Sequence, residues 1–363
     1  MTTILLIADD FRRVLVPFLI GAAVVFSAML ILLVAQRWVR VLINVRQARL
    51  AAHWQPEIQQ VLDEGAAMAS TRLLRITRRS PLSMGRLLAA PLASLTGSPV
   101  VHAAEFARLA GLDQWWTRQT QHRSWWRRAE AVRALGLIED SSALNTVIGA
   151  LDDNHEEVRA AAAGSLGRLR DARAVTPLLD RLPDESRHQR VRVIDALRQI
   201  GAPVAEPLLI GLRARPALLV HVADLVPAVC GGNAADDLLQ WTSNEEPEVR
   251  AAALLALGRL GLDDLSYYHA LKALGDGDAR VRAMAARALG RSGRLDAALY
   301  LAARLDDDWL VAAESARALG TLKDTGRRLL DAKSTGVGPG ADLARQALWE
   351  LDNRRVPHVA VRA

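Results

Sequence analysis

Four histidines, His122, His155, His188 and His221, stand 33 residues apart, a regular row of the kind that could hold metal ions or sense pH. The repeat that underlies this part of the chain has a period near 31, however, so each histidine slips against its own unit. His155 precedes Val158 by three residues, whereas His188 precedes the equivalent Gln189 by one. They share no equivalent position, and the spacing reads as coincidence. Runs of acids recur as well: Asp152-Asp153-Asn154, Asp184-Glu185-Ser186, Asn244-Glu245-Glu246, Asp276-Gly277-Asp278 and Asp306-Asp307-Asp308. Such oxygen-rich stretches could ligate calcium or magnesium, but they lack the ligand spacing of a cation loop and occur once per unit, which reads as helix N-caps. Gly336-Val337-Gly338-Pro339-Gly340 is glycine-rich yet follows no predicted strand, so it is no phosphate cradle. P-loop, HExxH, GxSxG and CxxC strings are missing, and the single cysteine, Cys230, permits no intramolecular disulfide. No catalytic, cofactor-binding or metal-ligating residue is assigned. The chain is expected not to be an enzyme and to need no cofactor.

Two residue types point to binding instead. Arg128, Arg159, Arg190, Arg250 and Arg282 recur at one position of the repeat. They are expected to form a structural ladder with the turn acids or to meet a partner. Trp115, Trp116, Trp125 and Trp126 crowd the start of the array, near Arg118, Arg123 and Arg127. Neighbouring residues on a helix point about 100° apart, so one tryptophan of each pair is expected in the core and the other outside. Tryptophan and arginine are favoured interface anchors, which makes Trp115, Trp116, Arg123, Trp125, Trp126 and the five ladder arginines the candidate partner contacts.

The elements that must position these residues are helices. Alanine and leucine dominate, aromatics reach only 4%, and valine and isoleucine do not alternate with polar residues. Aligned on a leucine near the end of one helix per unit, the chain reads RRAEAVRALGLIED (127–140), VRAAAAGSLGRLRD (158–171), QRVRVIDALRQIGA (189–202), VRAAALLALGRLGL (249–262), VRAMAARALGRSGR (281–294) and VAAESARALGTLKD (311–324). The anchors Leu135, Leu166, Leu197, Leu257, Leu289 and Leu319 are 31, 31, 60, 32 and 30 residues apart. A degenerate unit around 216–230 fills the double gap, and Leu348 closes a shorter last unit. In each unit a first helix, such as AVTPLLDRL (174–182), leads through an acidic turn into a second helix that is small and apolar on one side and in many units closed by glycine. Neither helix can bury its stripe alone, so the units must stack into an all-α solenoid.

This VRxxAxxALGxLxD signature resembles HEAT-like repeats of the short type first associated with phycobilisome lyases. The resemblance covers about 225 residues. It implies architecture rather than activity, since such repeats serve adaptors, scaffolds and a few enzymes. HEAT-type hydroxylases bind iron through repeated His-Glu pairs, and only His155-Glu156 is such a pair in this sequence. The stretch SWWRRAEAVRALG (124–136), opening an array behind an N-terminal anchor, resembles membrane-tethered bacterial HEAT proteins. That resemblance implies an envelope or polysaccharide-synthesis setting.

The anchor is read from Val14–Ala35, 22 residues without a charge. As a helix it would be roughly 33 Å long, enough for a hydrocarbon core of about 30 Å. Gln36, Arg37 and Trp38 follow where a signal peptide would have a small-residue cleavage site. Arg37, Arg40, Arg46 and Arg49 after the span outnumber Arg12 and Arg13 before it. This places the N-terminus outside and the body in the cytoplasm, at the inner membrane. Residues 37–52 are amphipathic, and their four arginines could hold anionic headgroups. The expected organisation is a tail over 1–13, the span over 14–35, basic juxtamembrane helices and an atypical cap over 36–124, the solenoid over 125–351 and a mobile tail over 352–363.

Charge sharpens the partner class. Residues 1–124 carry fourteen arginines and seven acids, while residues 125–363 carry thirty-two basic and thirty-three acidic residues. A solenoid wrapping nucleic acid would need its basic excess on the wrapping surface, so nucleic acid is not expected. The expected function is a membrane-tethered scaffold that docks proteins on the concave face lined by the second helices. The alternative is a lyase- or chaperone-like protein that binds a small ligand or chromophore.

Overall fold

The computed structural model describes residues 52–354 and, before them, only 26, 27, 29–32, 34, 35, 37, 38 and 49. Most of the expected span Val14–Ala35 lies outside the described residues, as do Arg40, Arg46 and the tail from 355 onward. Of that span, Phe26, Met29, Leu30, Ile31, Leu32 and Val34 are helical and exposed, as is Trp38 just beyond it. Among the described residues no single helix is long and apolar enough to cross a membrane. One bent pair, Pro216–Val222 with Val226–Trp241, passes on length and composition. Its Leu218, Leu219, Val222, Val226 and Leu238 are buried within the array, as core side chains would be.

The described chain is helical throughout, without strands, and divides into two compact units between Trp115 and Trp116. The first unit contains α1 (52–64), α2 (Thr71–Arg79), α3 (Pro81–Leu92) and α4 (Ser98–Ala110). The breaks fall where the sequence has Ser80-Pro81 and Gly97-Ser98-Pro99, because proline suits the first turn of a helix and not its interior. Ser70 caps α2 by accepting the Leu73 amide at 3.0 Å. Ile58, Leu62, Leu73, Met84, Leu88 and Phe106 are among its fully buried side chains. Helix α5 (Leu112–Gln119) carries the boundary between the units.

The second unit is the repeat array. Helix α6 (Trp125–Leu137) opens it, and pairs follow: α7 (Leu144–Gly149) with α8 (Glu156–Leu169), and α9 (Val175–Arg181) with α10 (Arg187–Ile200). Next, α11 (Ala205–Ala214) is joined by two fragments, α12 (Leu219–Val222) and α13 (Val226–Cys230). Then come α14 (Ala235–Trp241) with α15 (Pro247–Leu260), α16 (Asp264–Ala273) with α17 (Ala279–Ser292), α18 (Ala298–Ala302) with α19 (Trp309–Thr321), and α20 (Lys323–Ser334) with α21 (Pro339–Arg354). The last helix starts within the glycine-rich run 336–340, and Pro339 and Gly340 belong to its first turn.

Second helices stack on one another. Helix α6 packs on α8 and α8 on α10, while α15, α17, α19 and α21 pack in succession. Val249, Ala253 and Leu257 form one buried stripe, repeated by Val281, Ala285 and Leu289. Every anchor leucine from Leu135 to Leu319 is at most 2% exposed. The glycine after the anchor sits inside the second helix, where it lets the next one approach. A Cβ on Gly258 would lie 2.8 Å from the Ala288 Cα, and one on Gly290 would lie 2.5 Å from the Ala318 Cβ. The row breaks between α10 and α15. Pro216 and Pro227 lack amide hydrogens, and Gly231 adopts a positive φ, so the segment folds as fragments that pack on α15 in place of one long second helix.

Candidate partner-binding surface

The recurrent arginines leave the first turns of the second helices and reach the acidic turn of the next unit. Arg128 donates from Nε and one terminal nitrogen to Asp153 at 2.6 and 2.7 Å, and Arg159 binds Glu185 at 2.6 and 3.1 Å. Arg250 binds Asp276 at 2.9 and 2.8 Å, and Arg282 binds Asp307 at 3.0 and 2.7 Å. In each case the remaining terminal nitrogen donates to a backbone carbonyl of the arginine's own turn, such as Asn244 for Arg250. These forks are bidentate and largely shielded, so they fasten each unit to the next. Burial pushes the carboxyls of Asp153, Asp276 and Asp307 up, but the arginine and backbone hydrogen bonds outweigh it and hold all three below the usual aspartate value.

The turn acids thus divide their work. Asp278 and Ser186 cap their helices by accepting the amides of Arg280 and Gln189, and His155 caps α8 through Nδ1. Asp153, Glu185, Asp276 and Asp307 receive the ladder. Glu246 and Asp308 stand at N-cap positions without a side-chain cap bond, which corrects the reading of every acidic turn as a side-chain cap.

Arg190 departs from its equivalents. Its side chain makes no hydrogen bond or ion pair among the described residues, and its Nε is buried without a partner. Each paired arginine finds its acid 25 or 26 residues on. At the corresponding positions after Arg190 stand Arg215 and Pro216, and Arg215 turns back to Asp180 at 2.5 Å.

Of the tryptophans, Trp116 is buried and Trp115 half-buried. Trp125 and Trp126 are both exposed, at 43% and 39%, against the expectation that one of them fills the core. They occupy the first turn of α6, ahead of the apolar stripe that begins at Ala129, and pack on polar neighbours. Trp125 stacks on His155 with ring centroids 4.2 Å apart, and the Arg127 guanidinium lies 5.1 Å from the Trp126 ring. Arg123 is exposed, and its carbonyl accepts from Arg128 at 3.1 Å.

The histidines do not converge. His122 accepts the Ser124 amide at 2.9 Å, His188 is exposed, and His221 lines a cleft at the break in the row. No group of three or more histidine, cysteine or acidic side chains is placed to hold a metal ion among the described residues. Cys230 is buried, and burial pushes its thiol up to about 11, which makes it a poor nucleophile.

A groove that the sequence reading passed over crosses α15, α17, α19 and α21. Its volume is about 550 Å³, and Arg259, Arg287, Arg291, Arg317, Glu314 and Glu350 supply its charge. Glu314 is 6% exposed and receives Arg287 through two bonds of 3.1 Å, with Arg317 on its other side. Arg259 pairs with Asp224 at 2.8 Å, while Arg291 is exposed with no ionic partner among the described residues. The signal was present in the sequence. Glu314 stands where α15 has Ala252 and α17 has Met284, in a column that holds Glu130 in α6 and Arg192 in α10, and arginines stand two residues before or after the anchors Leu257, Leu289 and Leu319.

No curated protein matches this sequence. Several solved structures resemble the chain at low identity. Human deoxyhypusine hydroxylase in complex with glycerol is 19% identical, with a TM-score of 0.30 over 77% of this chain and 98% of that one. The Escherichia coli protein YibA is 17% identical, with a TM-score of 0.40 over 74% and 96%. The complex of CpcE and CpcF of phycocyanin lyase from Nostoc is 19% identical, with a TM-score of 0.26 over 74% and 94%. The family model for HEAT repeats matches residues 114–198 and 235–320, stretches that meet the break in the row from either side; the chain carries HEAT repeats over both.

Proposed function

We propose that this chain is a scaffold, tethered to the cytoplasmic membrane through Val14–Ala35, that holds a partner protein in the cytoplasm against the face of its second helices. The observation that supports this reading most is the arginine groove. It spans four consecutive second helices and so belongs to the stack rather than to any one unit. Its four arginines face two glutamates, a positive excess in an array whose overall charge is balanced. A partner with an acidic segment would be drawn to it and oriented by it. Trp125, Trp126 and Arg123 offer a second contact at the far end of the row.

Affinity capture of the full chain from gently solubilised membranes tests this, with R291E as the comparison because Arg291 is exposed and holds no ion pair among the described residues. The expected result is a partner protein in fixed ratio to the wild-type chain, with recovery falling in the variant and with rising salt. A pigment or metabolite that stays bound while no protein is recovered would favour the lyase- or chaperone-like alternative and overturn the scaffold.

A further inference from the structure

The break between α10 and α15 carries three departures from the repeat, all on one side of the stack. Where Gly136, Gly167, Gly258 and Gly290 follow their anchors, Arg198 follows Leu197, so the side that admits a close neighbour elsewhere is closed to one at α10. Where the other ladder arginines meet an acid, Arg190 meets none. Where a long second helix would lie against α10, the fragments α12 and α13 pack on α15 instead.

A cleft of about 270 Å³ opens as a result, between Val191, Ile194, Asp195 and Arg198 of α10 and Val220 and His221 of α12, with Leu225 and Leu255 behind them. Two of its apolar side chains are exposed, Val191 at 52% and Val220 at 44%. The charges along its wall are already neutralised within the chain. Asp195 pairs with Arg198 and Asp224 with Arg259, each at 2.8 Å. Arg190 does not itself line the cleft but stands one residue before Val191, and no acid of the described residues meets it. The volume lies below the roughly 300–1,000 Å³ typical of drug-sized ligand pockets, and suits a few aliphatic side chains.

We propose that this cleft is a docking site for a short apolar segment of a partner protein led by an aspartate or glutamate, whose carboxylate takes the place of the acid that Arg190 lacks. The occupant follows from the rest of the ladder. Four equivalent arginines are each met by a carboxylate in the turn ahead of the next second helix; the partner supplies that carboxylate in trans, and the exposed Val191 and Val220 receive its aliphatic residues. The inference rests on the scaffold reading, and it places part of the contact at the degenerate unit.

The probe is a displayed library of random peptides, panned on the full chain in detergent and again on R190M. The expected outcome is a consensus of one acid followed by aliphatic residues, selected by the wild-type chain only. In fluorescence anisotropy the winning peptide should lose about tenfold or more in affinity when its acid becomes the amide, and equally on R190M. V220D should also abolish binding, whereas R190K should keep part of it. Circular dichroism and the unfolding midpoint of R190M should match wild type, because the Arg190 side chain makes no internal bond. A consensus without an acid, no enrichment at all, or equal binding to R190M would overturn the site. So would self-association that depends on Arg190, which would give the cleft to a second copy. If full-length R190M and V220D still capture the protein recovered with the wild-type chain, the cleft proposal fails while the scaffold stands. If the wild-type chain captures none, the scaffold fails first.

Discussion

An arginine that meets a carboxylate through a shielded fork and one that meets nothing are the same residue in the sequence, and their substitutions should separate them. Arg282 is 13% exposed at its side chain, and its three nitrogens serve Asp307, Asp308 and two carbonyls. R282M is expected to cost about 2 kcal/mol, because it leaves a shielded carboxylate without its bidentate arginine. R190M removes no bond and should stay within about 0.5 kcal/mol of wild type. Urea denaturation of the two variants reads the difference, and equal losses would refute the ladder as the fastening between units. The same carboxylates set an acid limit. Asp278 is held down to about 2, chiefly by its hydrogen bonds to Arg280, and Asp153, Asp276 and Asp307 also lie below their ordinary value. In the unfolded chain these groups take up protons near pH 4. The unfolded state therefore binds more protons than the folded one between about pH 4 and 2. The thermal midpoint should be level from neutral pH to about 5 and fall steeply below 4. At this scale the sequence shows which arginines recur, since their spacing is the repeat itself. It does not show that Arg190 lacks its acid, because the acid is found only by counting to Arg215 and Pro216 across a turn of irregular length.

At the scale of helices, the anchor leucines, the order of first and second helices and the breaks at Ser80-Pro81 and Gly97-Ser98-Pro99 were all legible. Each depends on local periodicity or on proline's missing donor. Less legible was the use of the glycine beside each anchor, which turns on the distance to the next helix. Gly290 faces Ala318 where a methyl group would stand 2.5 Å from the alanine Cβ, with backbone as near. G290A should raise intrinsic helix propensity and still destabilise the array by about 1–3 kcal/mol, since α17 and α19 must separate to admit it. G164A, at a second-helix position with nothing within 4 Å, is the control and should be neutral or mildly stabilising. If both variants gained stability, close packing at the glycine column would be refuted. The expectation that one of Trp125 and Trp126 fills the core failed for a related reason: a helical wheel assigns them to two sides of α6 but carries no sign that the first turn of α6 lies ahead of its buried stripe.

Taken as a whole, the array is one stack only where second helices touch, and a linear stack is as cooperative as its weakest junction. From α15 onward the buried side chains form one cluster, running from Ala251 and Leu254 through Leu289 and Leu319 to Ala347. On the other side, α6, α8 and α10 are joined by Arg128–Asp153, Arg159–Glu185 and the contacts of Gly136 and Gly167. Between them neither the ladder nor the glycine column continues, and the bridge includes α11, the fragments α12 and α13, and the Arg213–Asp237 and Arg259–Asp224 pairs. The degenerate unit was visible in the sequence as a double gap between Leu197 and Leu257; its mechanical meaning was not, because a gap in a pattern does not say which contacts vanish with it. Native-state hydrogen exchange in rising denaturant should therefore resolve two cooperative blocks, one ending near Ile200 and one beginning near Pro247, with the 216–230 segment opening at the lowest free energy. R282M should lower the protection of the second block and leave the first nearly unchanged, and R159M should do the reverse. A single transition shared by both blocks, equally sensitive to both variants, would mean that the fragments couple the halves as firmly as a regular repeat does, and the cleft beside α10 would then lie in a rigid wall rather than at a joint.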